Sequence, residues 1–60
     1  VTKHLVIRYE ARLAGYFERD QLESIYEIWD DDESACQRAW DLNRAARDVP
    51  GAPEYYVREA

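Results

Sequence analysis

Four side chains hold most of the nucleophile and base chemistry this sequence offers: His4, Ser24, Ser34 and Cys36. Covalent catalysis needs a nucleophile within hydrogen-bond reach of a base, and a third group to orient that base. The strand expected around His4 and the helix expected around Cys36 put this pair on opposite sides of a sheet. His4 is then an exposed strand residue and Cys36 a small half-buried helix residue. With only two glycines in the chain, no glycine-rich loop exists to cradle a phosphate. The expectation is a non-enzyme with no cofactor.

The densest group of potential metal ligands is Asp30-Asp31-Asp32-Glu33. An EF-hand loop begun at Asp30 needs glycine at its sixth position and glutamate at its twelfth. Those positions hold Ala35 and Asp41, so the match fails. Negative side chains are favoured at the positive end of a helix dipole, and the run reads as a helix start. A single cysteine rules out an internal disulfide and any zinc site built from several thiolates. A reducing, cytoplasmic setting is the expectation. Thirteen acidic groups against eight basic ones leave a net charge of -5, which argues against unaided binding to a phosphate backbone. No apolar run approaches the ~20 residues of a membrane span, and no signal-peptide pattern stands at the start.

These residues need elements to position them, and 60 residues allow one small domain, taken as 1–60. Ala35, Ala39, Leu42 and Ala46 draw one apolar stripe down a helix from Glu33 to Arg47. Asp32 is the expected N-cap, with Ser34 and Gln37 as an alternative capping box. Arg44 and Arg47 fall in the last turn. Val49 to Pro53 ends the helix, with Pro50-Gly51 suited to the centre of a type II turn.

The first half reads as a long hairpin with apolar residues at odd positions from Leu5 to Phe17 and even ones from Leu22 to Ile28. A turn at residues 18–21 makes every cross-strand pair sum to 39, setting Arg12 opposite Glu27 and Arg8 opposite Asp31. The competing reading is a helix over 9–20, from the spacing of Tyr9, Leu13, Tyr16 and Phe17. A last strand, Glu54 to Glu59, puts Tyr55 and Val57 on one face and Tyr56 and Arg58 on the other. The expected fold is α+β: ββαβ, a three-stranded antiparallel sheet of order 2-1-3 with one helix on one face.

The second face is then bare. The hairpin register assigns to it His4, Val6, Arg8, Glu10, Arg12, Ala14, Tyr16, Glu23, Ile25, Glu27 and Trp29, with Tyr56 and Arg58 from the last strand. Trp, Tyr and Arg are enriched at binding hot spots, and the candidate contact residues are Val6, Tyr16, Ile25, Trp29 and Tyr56. Trp40 is expected to lid the edge of the core, and Asn43 to bond the turn or the helix end.

The segments Tyr26 to Asp30, Glu33 to Cys36, Ala39 to Asn43 and Tyr55 to Glu59 resemble those of small orphan ββαβ proteins of phages and actinobacteria. The shared pattern is strand, acidic cap, Ala-rich helix ending in Leu-Asn, and short strand. That resemblance implies a stand-alone accessory protein and carries no active site. Seven arginines to one lysine, with eight alanines, fit the GC-rich coding of such a source. The leading expectation is a protein that acts by contact with another protein, with a weak homodimer across the bare face as a further possibility. One alternative is an acidic DNA mimic that blocks a nucleic-acid enzyme. The other is an RNA-binding sheet that stacks bases on Tyr16, Trp29 and Tyr56 beside Arg8, Arg12 and Arg58.

Overall fold

The computed structural model describes residues 2–60, in the order β1 (His4–Tyr9), a 3-10 turn (Ala11–Leu13), α1 (Arg19–Leu22), β2 (Glu23–Trp29), α2 (Asp32–Ala45) and β3 (Glu54–Glu59). The strands form one antiparallel sheet of order β2-β1-β3, and α2 packs on one side of it, as the sequence implies. The apolar strand β1 is central because only a central strand buries both faces. Val6 and Ile7, adjacent and pointing opposite ways, are 0 % and 2 % exposed.

The hairpin is shorter than its pattern suggests. β1 stops at Tyr9, and the N–H of Glu10 donates to the carbonyl of Leu22, closing residues 11–21 into a compact excursion. Within it lie the 3-10 turn and then α1, so neither the long strand nor the competing helix over 9–20 forms. At the start of α1 the side-chain carbonyl of Gln21 accepts from the Glu18 N–H at 3.0 Å. The strand pairing therefore sums to 33 from His4↔Trp29 to Val6↔Glu27, then to 32 from Ile7↔Ile25 to Tyr9↔Glu23, with a bulge at Tyr26. Neither expected charge pair forms. Arg8 meets Glu10 at 2.9 Å, and Glu27 meets Arg38 of α2 at 2.9 Å.

α2 begins one residue before its expected start. Asp31, not Asp32, is the N-cap and accepts from the Ser34 N–H at 2.8 Å. Its carboxyl is held below the usual value by the hydrogen bonds from Ser34. The helix ends at Ala45, and Gly51 (φ 74°) completes a turn in which the Ala52 N–H donates to the Val49 carbonyl, as the type II geometry requires.

The helix turns small residues to the sheet. Ala35 and Ala39 are buried against Val6, which lets α2 approach closely, while Trp29, Leu42, Tyr55 and Val57 fill the flanks. This inverts the expected layering. The side of the sheet that carries His4, Val6, Glu27 and Trp29 is the covered one. The faces of β3 match expectation, with Tyr55 and Val57 toward the helix and Tyr56 and Arg58 away from it. Among the described residues no helix is long and apolar enough to cross a membrane.

Candidate functional site

The uncovered face is a small grid, defined by register. Ile28, Leu5 and Arg58 form one row, Ile25, Ile7 and Tyr56 the next, and Glu23, Tyr9 and Glu54 the third. The bulge at Tyr26 makes this grouping, because an extra residue switches the side to which the rest of β2 points. Ile25 thereby joins Leu5 and Ile7, whereas Tyr26 turns to the helix side, where its ring meets Tyr55 edge-on at 5.3 Å and lies under Arg38. Ile25 and Ile28 are 57 % and 61 % exposed.

Ile7 is nonetheless buried, and the reason is polar. Arg58 on β3 reaches Glu23 on β2 with its Nη2 3.2 Å from the carboxylate, donates to the Tyr56 hydroxyl, and lies over the Tyr56 ring. Its two partners sit on opposite edge strands, so the bridge runs diagonally over the middle strand and roofs Ile7. Arg19 adds a second cation, 3.6 Å from Glu23 and stacked on Tyr9.

The expected contact residues divide. Ile25 and Tyr56 lie on the bare face. Val6 and Trp29 do not: Val6 is fully buried under α2, and Trp29 packs on that core with its indole N–H donating to Glu27. Tyr16 is off the sheet, 81 % exposed in the excursion before α1. The three aromatic residues of the stacking platform therefore occupy three different places. Leu5 and Ile28 belong to the face and were assigned by the sequence to the covered side. Their alternation with Val6 and Trp29 was legible; which set the helix would cover was not.

Two further side chains depart from expectation. Trp40 stands on the outer surface of α2, 56 % exposed with the Arg44 guanidinium over its ring, rather than closing the core edge. Asn43 bonds neither the turn nor the helix end. Its side-chain NH2 donates to the Tyr55 carbonyl at 2.8 Å, and its carbonyl accepts from the Tyr55 N–H at 2.9 Å. The amide thus imitates one residue of a neighbouring strand and occupies the outward edge of β3.

The possible chemistry gathers at the other end of α2. His4 and Cys36 are not separated by the sheet. The side chain of His4 is largely buried on the helix side with Nδ1 3.5 Å from Asp32, and the exposed Cys36 thiol lies 3.6 Å from the same carboxylate oxygen. The order of groups is wrong for activating sulfur: the carboxylate stands between thiol and imidazole. Partial desolvation first, and the Asp32 charge second, push the Cys36 thiol up, which favours the unreactive protonated form.

Two more residues of the acidic run are engaged. Asp30 pairs with Lys3, and Asp31 caps α2. Among the described residues no group of three or more His, Cys, Asp or Glu is placed to hold a metal ion. The groove between α2 and β2, about 380 Å³ and lined by Trp29, Ser34, Gln37 and Arg38 among others, has its main polar groups paired. Arg38 bonds Glu27, and Gln37 donates to Asp41. Glu27 is held below its ordinary value chiefly by that Arg38 hydrogen bond.

The chain matches no family model, no curated protein and no solved structure.

Proposed function

We propose that this is a small non-enzymatic accessory protein that works by protein–protein contact through the bare sheet face. The observation that carries the reading is the pair Ile25 and Ile28, both more than half exposed and flanked by Leu5 and Tyr56. Large apolar side chains grouped on one face mark interaction surfaces more than scattered ones do. The Asp32 carboxylate, standing between the Cys36 thiol and His4, leaves the sulfur without an imidazole base, which supports the non-enzymatic half of the reading. An unpaired cysteine suits a cytoplasmic setting. The arginine-rich, alanine-rich composition fits a phage-encoded origin.

The acidic-mimic alternative has less support, since Asp30 and Asp31 are engaged with Lys3 and Ser34 rather than spread over a free surface. The discriminating experiment is affinity capture from a host lysate with the native chain and the Ile25→Glu/Ile28→Glu variant. The double variant is expected to keep its circular dichroism spectrum and lose its captured protein. Capture that persists in the folded double variant, and disappears on neutralising Asp30 to Asp32, sinks this reading in favour of the mimic.

A further inference from the structure

The bare face is electrically balanced in a chain that is not. By register it carries Arg58, Glu23 and Glu54, and Arg19 reaches in over Tyr9, two charges of each sign. The acidic excess lies in and beside α2, in the run Asp30 to Glu33 with Asp41 and Asp48. Two copies with a net charge of -5 repel on most approaches, and least on this one. The edges of the sheet do not compete for a partner. Asn43 occupies the outward N–H and C=O of Tyr55 on β3, and the bulge at Tyr26 interrupts β2.

The surface area points the same way. A folded monomer of 7.1 kDa exposes roughly 4,100 Å², whereas this chain exposes 4496 Å², an excess of about 400 Å². Three strands of six or seven residues make a face of about 15 by 20 Å, so its closure removes an area of that order from each copy. The molecule is a slab with Cα extents of 36 × 25 × 10 Å, one helix layer on one sheet layer.

We propose that a second copy of this chain closes the face, two sheets stacking across a two-fold axis into helix–sheet–sheet–helix layers. This rests on the reading of the bare face as the working surface and names its partner. Strands lie about 4.8 Å apart and like-facing residues along a strand about 6.6 Å apart, so the face is a rectangular grid whose corner positions fall within about 3 Å of one another when two copies cross at 90°. Stacked sheets cross near 30° or near 90°. A 90° crossing about the diagonal through Ile28 and Ile7 lays Ile28 on its counterpart and sets the polar roofs over the two Ile7 side chains against each other. It also sets Arg58 of each copy over Glu23 of the other, so both guanidiniums reach two carboxylates. The two Glu54 side chains meet at the solvated rim. An interface of about 800 Å² in total is small, which makes the association weak.

Sedimentation equilibrium of the full chain, from about 10 µM to about 2 mM, tests this. The weight-average mass is expected to rise from 7.1 kDa toward twice that value. Ile28→Glu is expected to remain at the lower mass at every concentration, with Ile25→Lys as a second face variant. Trp40→Ala, on the far side of α2, follows the native curve. Arg58→Glu and Glu23→Arg are each expected to be monomeric, and an equimolar mixture to regain the heavier species. A native chain that stays at the monomer mass throughout overturns the proposal, as does a rise that both face variants leave unchanged. If the native chain stays monomeric while the Ile25→Glu/Ile28→Glu variant still loses a captured protein, the second copy is wrong and the face is right.

Discussion

The two faces of the sheet are built from the same three strands and solve the same problem differently. On the helix side, Val6 is sealed by Ala35 and Ala39, apolar atoms against apolar atoms. On the bare side, Ile7 is sealed by the Arg58–Glu23 bridge, a polar roof over an apolar floor. The first arrangement excludes water and tolerates no change of volume. The second leaves Ile25 and Ile28 beside the roof, open to solvent. One face therefore carries the packed core of the domain, and the other keeps large apolar side chains exposed.

That division is sharpest in substitutions of the covered face. Trp29→Ala removes a half-buried indole and is expected to cost about 2–3 kcal/mol. Ala35→Leu forces a side chain into the closest helix–sheet contact and costs about 1–3 kcal/mol. A 60-residue domain holds roughly 3–9 kcal/mol in total, so either change removes a sizeable share of it. Urea unfolding followed by circular dichroism measures both. Midpoints within error of the native chain would show that α2 does not dominate the core.

Next in size is Asn43→Ala. Two exposed hydrogen bonds to Tyr55 are lost, for about 1 kcal/mol together, since water replaces part of each. A second consequence is specific to this position: the freed edge of β3 gains a pairing site, and light scattering at high concentration is expected to increase. Ile28→Ala comes below that, within about 0.5 kcal/mol of the native chain. A loss comparable to that of Trp29→Ala would mean that the bare face is part of the core, and the contrast between the faces would collapse.

Much of the fold was legible because its signals are local or periodic. The alanine stripe, the acidic start and Pro50-Gly51 specify α2 and its ending, and the continuous apolar triplet Leu5-Val6-Ile7 marks the central strand. What misled was the length of the odd-numbered apolar series. Leu13, Gly15 and Phe17 extend that series in the sequence, yet they lie in the excursion of turns that follows β1. Without them, the choice of covered face depends on which rows match a helix of small residues. Val6 between Glu27 and Val57, with Trp29 and Tyr55 at the flanks, fits Ala35 and Ala39. That is a three-dimensional match with no period to announce it. The bulge at Tyr26 is likewise silent in sequence, and it alone moves Ile25 to the side of Leu5 and Ile7.

The smallest effect concerns the ion pair that ties β2 to α2 on the covered side. The fold lowers the pKa of Glu27 from its ordinary 4.5, mainly through the hydrogen bond from Arg38, with the Trp29 N–H adding to it and burial opposing. A carboxylate whose folded pKa is lowered favours the folded state wherever it is ionised in both states. Its contribution is therefore fully present above about pH 4.5 and is lost as the pH falls through the lower folded value. Asp31, lowered from 3.8 by Ser34, adds a second step of the same sign further into acid. The urea midpoint is expected to be flat from neutrality to the ordinary carboxylate range and to drop below it. Glu27→Gln lies slightly under the native curve at neutral pH and converges with it in acid, because a protonated glutamate and a glutamine are nearly alike. Curves that stay parallel over the whole range would show that the Arg38–Glu27 bond does not stabilise the covered face.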